Sequence, residues 1–432
     1  MNDMHDLELL RRRAFLARSS AGVGAIALGA LGGGASQAAA ADSAAVWRGV
    51  IKAVHVPPKA RRVIWLYMAG GMSHLDTFDH KPKLTAMNGQ PMPESFTKGQ
   101  QIAQLQGRLL NCFGPQHAFR RAGASGQEIS EIFPEIASRI ADRIAIVRSM
   151  HTEAINHDPA HTFMNTGSMI AGRPSAGSWL WYGLGSEAED LPGFVVMVST
   201  GKFGQSQPIA SRQWHSGLLP SRFQGVEFRS RGDAVHYVRP PAGTTLAGQR
   251  GVLDAIGSLD GLRNEVLDDP EVAARLAQFE LAFKMQSSVP ELVDFADESA
   301  ETLALYGTKG GDGSFASNCL LARRLAERGV RFIQLYHRDW DHHGTIRDHV
   351  KGTAAEVDRG AAALVEDLAR RGMLDDTLVV FGTEFGRTPM AQGEGRDHHM
   401  KAFSIWLAGG GIKPGITYGA TTNSATGSRR MP

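Results

Sequence analysis

Six near-continuous apolar runs limit what this chain can fold into. They are RVIWLYM (62–68), RIAIVRSM (143–150), FVVMVS (194–199), VRFIQLYH (330–337), LVVFG (378–382) and FSIWLA (403–408). None shows the strict polar–apolar alternation of a strand with one wet face, so each fits a strand covered on both faces. Between them lie stretches with apolar residues three and four apart, as in 251–288, 315–328 and 353–377. Those stretches read as amphipathic helices. The alternation predicts an α/β fold with a largely parallel central sheet flanked by helices on both faces. One large domain over 61–421 is expected, with an irregular Arg-, Gln- and Gly-rich insertion near 204–245.

The first 41 residues stand apart. Arg12 and Arg13 lead into a mildly apolar, Gly/Ala-rich stretch that ends in small residues at Ala38 to Ala41. That is the pattern of a twin-arginine signal peptide, and it is too short and Gly-rich for a comfortable bilayer span. The expectation is export by the twin-arginine translocase to the periplasm or medium, with 42–60 as a linker. No later segment has the length and apolarity of a transmembrane helix, so the mature form is expected to have no stable membrane span. A formal net charge of +2 offers no broad basic surface for nucleic acid. Cys112 and Cys319 allow one disulfide or two buried free thiols, and no CxxC motif is present.

Four polar loops adjoin the predicted strands, where open α/β sheets place their sites. AGGMSHLDTFDHKP offers Ser73, His74, Asp76 and Asp79, which could serve a site or merely a turn. NHDPAHTFMNTG offers Asn156, His157 and His161, with Asp158-Pro159 suiting a helix start. RDWDHHG places Asp341 and His343 two apart, which lets a carboxylate and an imidazole converge on one divalent ion. On a locally extended loop Asp339 and His342 point elsewhere. FGTEFGRTP and GRDHH supply Glu384, Arg387, Asp397 and His398. Arg387 could take a phosphate or sulfate, and Asp397 could ligate a metal or orient His398.

Five ordered stretches, RVIWLYMAGGMSHLDTFDHKP, HDPAHTFMNTGS, WDHHG, TEFGRTP and GRDHHMKAFSIWLAGGGIKPG, together resemble the domain of unknown function 1501 family of exported bacterial proteins. That family is similar to the alkaline phosphatase and sulfatase superfamily. The resemblance implies an alkaline-phosphatase-like fold and metal-assisted hydrolysis of a phosphate or sulfate ester. Sulfatases carry C-x-P-x-R-x-x-x-x-T-G at their nucleophile. Here Pro159, Thr166 and Gly167 are kept, while His157 stands at the cysteine position and His161 at the arginine position. Gly70 stands where phosphatases have the aspartate of GDGM, with Asp76 as its substitute.

The implied metal ligands are Asp76, Asp341, His343, Glu384, Asp397 and His398, and the implied ion is zinc, with calcium or magnesium as alternatives. His157 and Arg387 are the implied catalytic residues. His161, Asn156 and Ser73 are the implied substrate contacts. The expected ligand is a small anionic ester or a sulfated or phosphorylated glycan. A non-catalytic metal- or glycan-binding protein of an exported complex is the alternative. After GITYGAT the resembled family continues like DELGYR, whereas this chain reads TNSATGSRRMP. Residues 422–432 are therefore expected to be an aberrant tail from a single-base shift near codon 422, which resequencing checks.

Overall fold

The computed structural model describes residues 47–99, 103–236, 238–240, 243–267, 270–422 and 428–429. The expected signal segment and most of the expected aberrant tail lie outside them. Every apolar run becomes a strand: β1 (Arg62–Met68), β4 (Ile144–Met150), β5 (Phe194–Ser199), β7 (Phe332–His337), β8 (Thr377–Gly382) and β11 (Phe403–Ala408). Two further strands, β6 (Val226–Phe228) and β12 (Ile416–Tyr418), complete an eight-stranded sheet in the order β12-β4-β11-β8-β1-β7-β5-β6. β6 lies inside the stretch expected to be an irregular insertion. β11 runs antiparallel to both its neighbours, β4 and β8, and the other pairings are parallel. A hairpin, β2 (Phe119–Ala122) and β3 (Gln127–Ser130), and a second one, β9 (Gly386–Gln392) and β10 (Gly395–His399), stand outside that sheet.

The unbroken apolar pattern follows from two covered faces. Ile64, Leu66 and Met68 of β1 enter one core with the helices Phe315–Glu327 and Ile346–Arg370. Trp65, Tyr67 and Ala69 enter a second core with Trp181 of the helix Ala176–Leu184. Side chains alternate along a strand, so a run serving both cores must be apolar at every position. Cys112 and Cys319 are both buried free thiols. Residues 240–280 cluster as a separate compact unit. There Arg250, on the helix Leu246–Leu267, pairs with Asp254 and Glu280 at 2.6 Å each. No helix among the described residues is long and apolar enough to cross a membrane.

Candidate metal centre

Parallel strands bring their carboxyl ends to one edge of the sheet. The loops leaving β1, β4, β7 and β8 therefore meet there, joined by the β9–β10 hairpin. Their approach is close. Gly70, just past β1, has φ +127°, and a Cβ on it would lie 2.6 Å from the Asp341 nitrogen and 2.7 Å from the Trp340 carbonyl carbon. The position thus has no room for the aspartate that the resembled phosphatases carry. Instead the Gly70 N–H donates to Glu384 Oε1 at 2.9 Å, and the Thr383 hydroxyl donates to Glu384 Oε2 at 3.0 Å.

Asp341 is the hub. His343 Nε2 lies 3.0 Å and His398 Nε2 3.3 Å from its Oδ1, and His157 Nε2 lies 3.2 Å from its Oδ2. The tautomers can be read from the far sides of two rings. His398 Nδ1 is 2.7 Å from the Ile155 carbonyl oxygen, which can only accept, so Nδ1 holds the proton and Nε2 carries a lone pair. His343 Nδ1 faces the Gln392 amide oxygen, while the Gln392 amide nitrogen donates to Gln104 at 2.8 Å. That leaves His343 Nε2 as the nitrogen that faces Asp341. The two Nε2 atoms are only 2.9 Å apart. Two ring nitrogens and a carboxylate oxygen this close are held together by a shared proton or by a metal ion among them. His157, Asp341, His343 and His398 thus form one group that could hold a divalent metal ion, and His157, His161 and Glu384 form a second.

In the second group His157 Nδ1 is 2.9 Å and His161 Nε2 3.7 Å from Glu384 Oε1. The Tyr67 hydroxyl, 2.9 Å from His161 Nδ1, fixes that ring from behind.

Burial opposes charge at every one of these groups; neighbours overcome it at His157 and Glu384, and burial prevails at His398 and His342. Burial disfavours the His157 imidazolium, but the Asp341 and Glu384 carboxylates overcome it and push its pKa up to about 9. Burial, helped by Arg387 and His157, holds His398 down at about 4 against the pull of Asp341. His342 is held down at about 3 by burial and then Arg387. Glu384, although buried, is held at about 2 by His161 and His157. The signs oppose one another in the metal-free protein. His157 stabilises it fully below the unfolded value of about 6.5 and loses that contribution as pH rises through about 9. His398 and His342 stay neutral in the folded state and cost stability as pH falls below about 6.5. The urea midpoint of metal-free protein is therefore expected to peak near the ordinary histidine value and fall on both sides. A midpoint rising steadily from pH 6.5 to 9 contradicts this assignment.

The expected site residues divide. Asp341, His343, Glu384, His398, His157 and His161 converge. Arg387 reaches the centre but is fully buried, so it has no face for a substrate anion. Its Nη2 donates to Asp341 Oδ1 at 2.6 Å and to the Gly70 carbonyl, its Nε to the Gly71 carbonyl at 2.7 Å, and its Nη1 to the Arg396 carbonyl at 3.1 Å. These bonds tie Asp341 to the loop after β1 and to the β9–β10 hairpin. Asp76 lies outside both groups: Arg396 Nε holds its Oδ2 at 2.8 Å, and the Ser73 hydroxyl donates to it at 2.5 Å.

Asp397 sits at a register shift of the β9–β10 hairpin and accepts the backbone N–H groups of Gln104, Leu105 and His398. Asn156 is the N-cap position of the helix His157–Thr166, without a capping side-chain bond. Asp339 has φ 77° and is buried, clamping the backbone N–H groups of Phe203, Gly204 and Gln205. Tyr67 and Gln392, which orient His161 and His343, carried no sequence signal beyond a core aromatic and a hairpin polar residue.

The fold and site define an α/β protein with a candidate metal centre at the carboxyl edge of its sheet. The chain belongs to the family described as protein of unknown function (DUF1501), whose model matches residues 60–431. No curated protein matches it. Among solved structures it is similar to Ps i-CgsB in complex with k-i-k-neocarrahexaose, at 12% identity over 85% of this chain and 70% of that one, TM-score 0.35. It is also similar to the PsFucS1 sulfatase from Pseudoalteromonas sp., at 10% identity over 85% and 66%, TM-score 0.32. A third is alkaline phosphatase from the Antarctic bacterium TAB5, at 11% identity over 86% and 97%, TM-score 0.30.

Proposed function

We propose that this chain is an exported, zinc-dependent hydrolase of a small phosphate or sulfate ester. The observation that carries the reading is the convergence of His343 Nε2 and His398 Nε2 on the Asp341 carboxylate beside His157. Imidazole nitrogens with one carboxylate suit zinc, whereas calcium and magnesium take sets built of oxygen. Zinc bound there would supply Lewis-acid polarisation of the ester and lower the pKa of a water.

The chain's own residues do the rest. Arg387, buried against four backbone carbonyls, holds Asp341 in place, and with His157, His343 and His398 it keeps that carboxyl well below the usual carboxylate range. The His398 ring is locked by the Ile155 carbonyl and the His343 ring by Gln392. His157 is part-exposed and lies between two carboxylates, so it can hold or pass a proton at either ring nitrogen. Since His157 occupies the position of the sulfatase cysteine, a formylglycine route is closed to this chain. The burial of Arg387 favours a second reading, a metal- or anionic-glycan-binding protein without turnover.

The test is elemental analysis of the purified protein together with turnover of aryl phosphate and aryl sulfate panels. Bound zinc with turnover supports the hydrolase. Bound zinc without turnover supports the binding protein, and no metal with no turnover ends the hydrolase and the metal-binding form of the second reading. Export rests on the Arg12-Arg13 segment, and cell fractionation with and without Arg12→Lys and Arg13→Lys checks it.

A further inference from the structure

We infer that Gln104 is a positioning residue for the metal centre: through the Gln392 side-chain amide it selects the His343 tautomer whose Nε2 is open to an ion. The inference rests on the reading of the Asp341 group as a metal site. It gives a role to a segment that this reading does not use.

An amide has two unlike ends, and Gln392 stands between His343 and Gln104. His343 Nδ1 faces Gln392 Oε1, and Gln392 Nε2 donates to Gln104 Oε1 at 2.8 Å. An oxygen at Nδ1 requires the ring proton there, so Nε2 holds the lone pair that a metal ligand needs. With the amide turned over, its nitrogen would face Nδ1 and the proton would move to Nε2. There it would be shared with Asp341 Oδ1 at 3.0 Å or His398 Nε2 at 2.9 Å, in the place of the ion. Asp341 suits both states, since a carboxylate oxygen accepts from an N–H and also lies beside a cation. The group at the outer end of the amide therefore makes the choice. An acceptor there draws the Gln392 nitrogen outward, and Gln104 Oε1 is that acceptor.

The segment that carries Gln104 is seated on the same hairpin as Gln392. Gln392 of β9 stands opposite Gly395 of β10, and Gly395 has no room for a Cβ against the His343 carbonyl. The buried Asp397 carboxylate of β10 accepts the backbone N–H groups of Gln104 and Leu105. Leu105 is buried with Leu75, Leu84, Met92, Cys112 and Met390. Backbone and core thus hold the segment, while the Gln104 side chain is exposed and its amide oxygen meets Gln392. Asp397, outside both ligand groups, serves the centre by placing Gln104.

The test uses metal-stripped full-length protein, zinc alone as the probe, and competition with a chromophoric chelator. Gln104→Glu can only accept, so it is expected to bind zinc at least as tightly as the native chain. Gln104→Met, with only a weakly accepting sulfur, is expected to weaken zinc about 10-fold. Gln104→Lys can only donate and is expected to weaken it about 10- to 100-fold. The same order is expected at about 1 M salt, where charges more than about 3 Å apart are screened. Urea midpoints of the metal-free variants are expected to match the native value, because Asp397 and Leu105 still hold the segment.

NMR shifts of the ring nitrogens read the tautomer in the metal-free protein. The share of His343 protonated at Nδ1 is expected to rise in Gln104→Glu and to fall in Gln104→Lys. In Gln392→Glu the carboxylate can only accept from Nδ1, so adding Gln104→Met is expected to change zinc affinity by less than about twofold. Zinc affinity and tautomer unchanged across the Gln104 variants overturn the relay and leave the Asp341 site standing. An order that vanishes at high salt assigns the effect to charge, and one that follows the urea midpoints assigns it to folding; either overturns the relay. No zinc bound by the native chain overturns both readings.

Discussion

Replacing Asp341 by Ala is expected to weaken zinc binding by more than about 10²-fold and to remove any ester turnover. The magnitude follows from the proposed centre: the loss of a residue that only orients a ligand already costs about 10- to 100-fold, and Asp341 is the proposed ligand on which the histidines converge. Three imidazoles and one guanidinium face this carboxylate, at 2.6–3.3 Å. The same substitution leaves the fully buried Arg387 without its only carboxylate among the described contacts. Breaking a buried pair by removing one partner costs about 3–5 kcal/mol. Asp341 is 22% exposed at its side chain, and four carbonyls remain for Arg387, so the loss is expected at about 2–3 kcal/mol. Competition with a chromophoric chelator reads the affinity, and urea unfolding of the metal-free protein reads the stability. Wild-type zinc affinity in the Ala variant would remove Asp341 from the centre.

Asp76→Asn is expected to act in the opposite sense, on stability and not on metal. Asp76 and Arg396 are both fully buried, with Arg396 Nε 2.8 Å from Oδ2 and Nη2 3.3 Å from Oδ1. The Gln116 backbone N–H adds a bond of 2.8 Å to Oδ1. Burial raises the Asp76 pKa, but Arg396 and these hydrogen bonds outweigh it and hold the carboxyl ionised. Without that charge the buried guanidinium keeps only the Phe113, Gly114 and Thr388 carbonyls, so the loss is expected at about 2–3 kcal/mol, below the full cost of a broken buried pair. Zinc affinity should stay at the wild-type value, because Asp76 lies outside both ligand groups. A variant of unchanged stability that loses zinc would return Asp76 to the ligand set. The ion pair explains why the residue looked like a ligand in sequence: a buried carboxylate just past a core strand reads the same in both roles.

The outcome at Asp397 has a similar cause. In GRDHH it stands beside His398 and looks equally ready to ligate. A register shift in the β9–β10 hairpin lies at this point. The Asp397 carboxylate binds the backbone of the 104–105 segment, while His398, paired across the hairpin with Arg387, faces Asp341. Strand alternation makes neighbours point apart, and no residue-type argument chooses which of the two faces the site.

Arg387 was legible as important but not in its role. An arginine after a strand end suggests an anion, and only packing shows that backbone carbonyls and Asp341 consume its donors. Tyr67 was legible only as core. Its place in β1 says that it is covered, not that its hydroxyl meets a histidine 94 residues away.

By itself the sequence determined the sheet and the edge that carries the chemistry. Continuous apolar runs require strands buried on both faces, and a mainly parallel sheet gathers the loops after β1, β4, β7 and β8 at one end. It also determined the donor types, since those loops hold the histidines and carboxylates. The tertiary structure alone decided which donors converge. Asp341, Glu384, His157, His161, His343 and His398 come together, while Asp76 is taken by Arg396 and Asp397 by a neighbouring loop. The reason is physical: a buried carboxylate goes to whichever cation or N–H group the packing puts within about 3 Å, and that distance joins residues up to 320 positions apart.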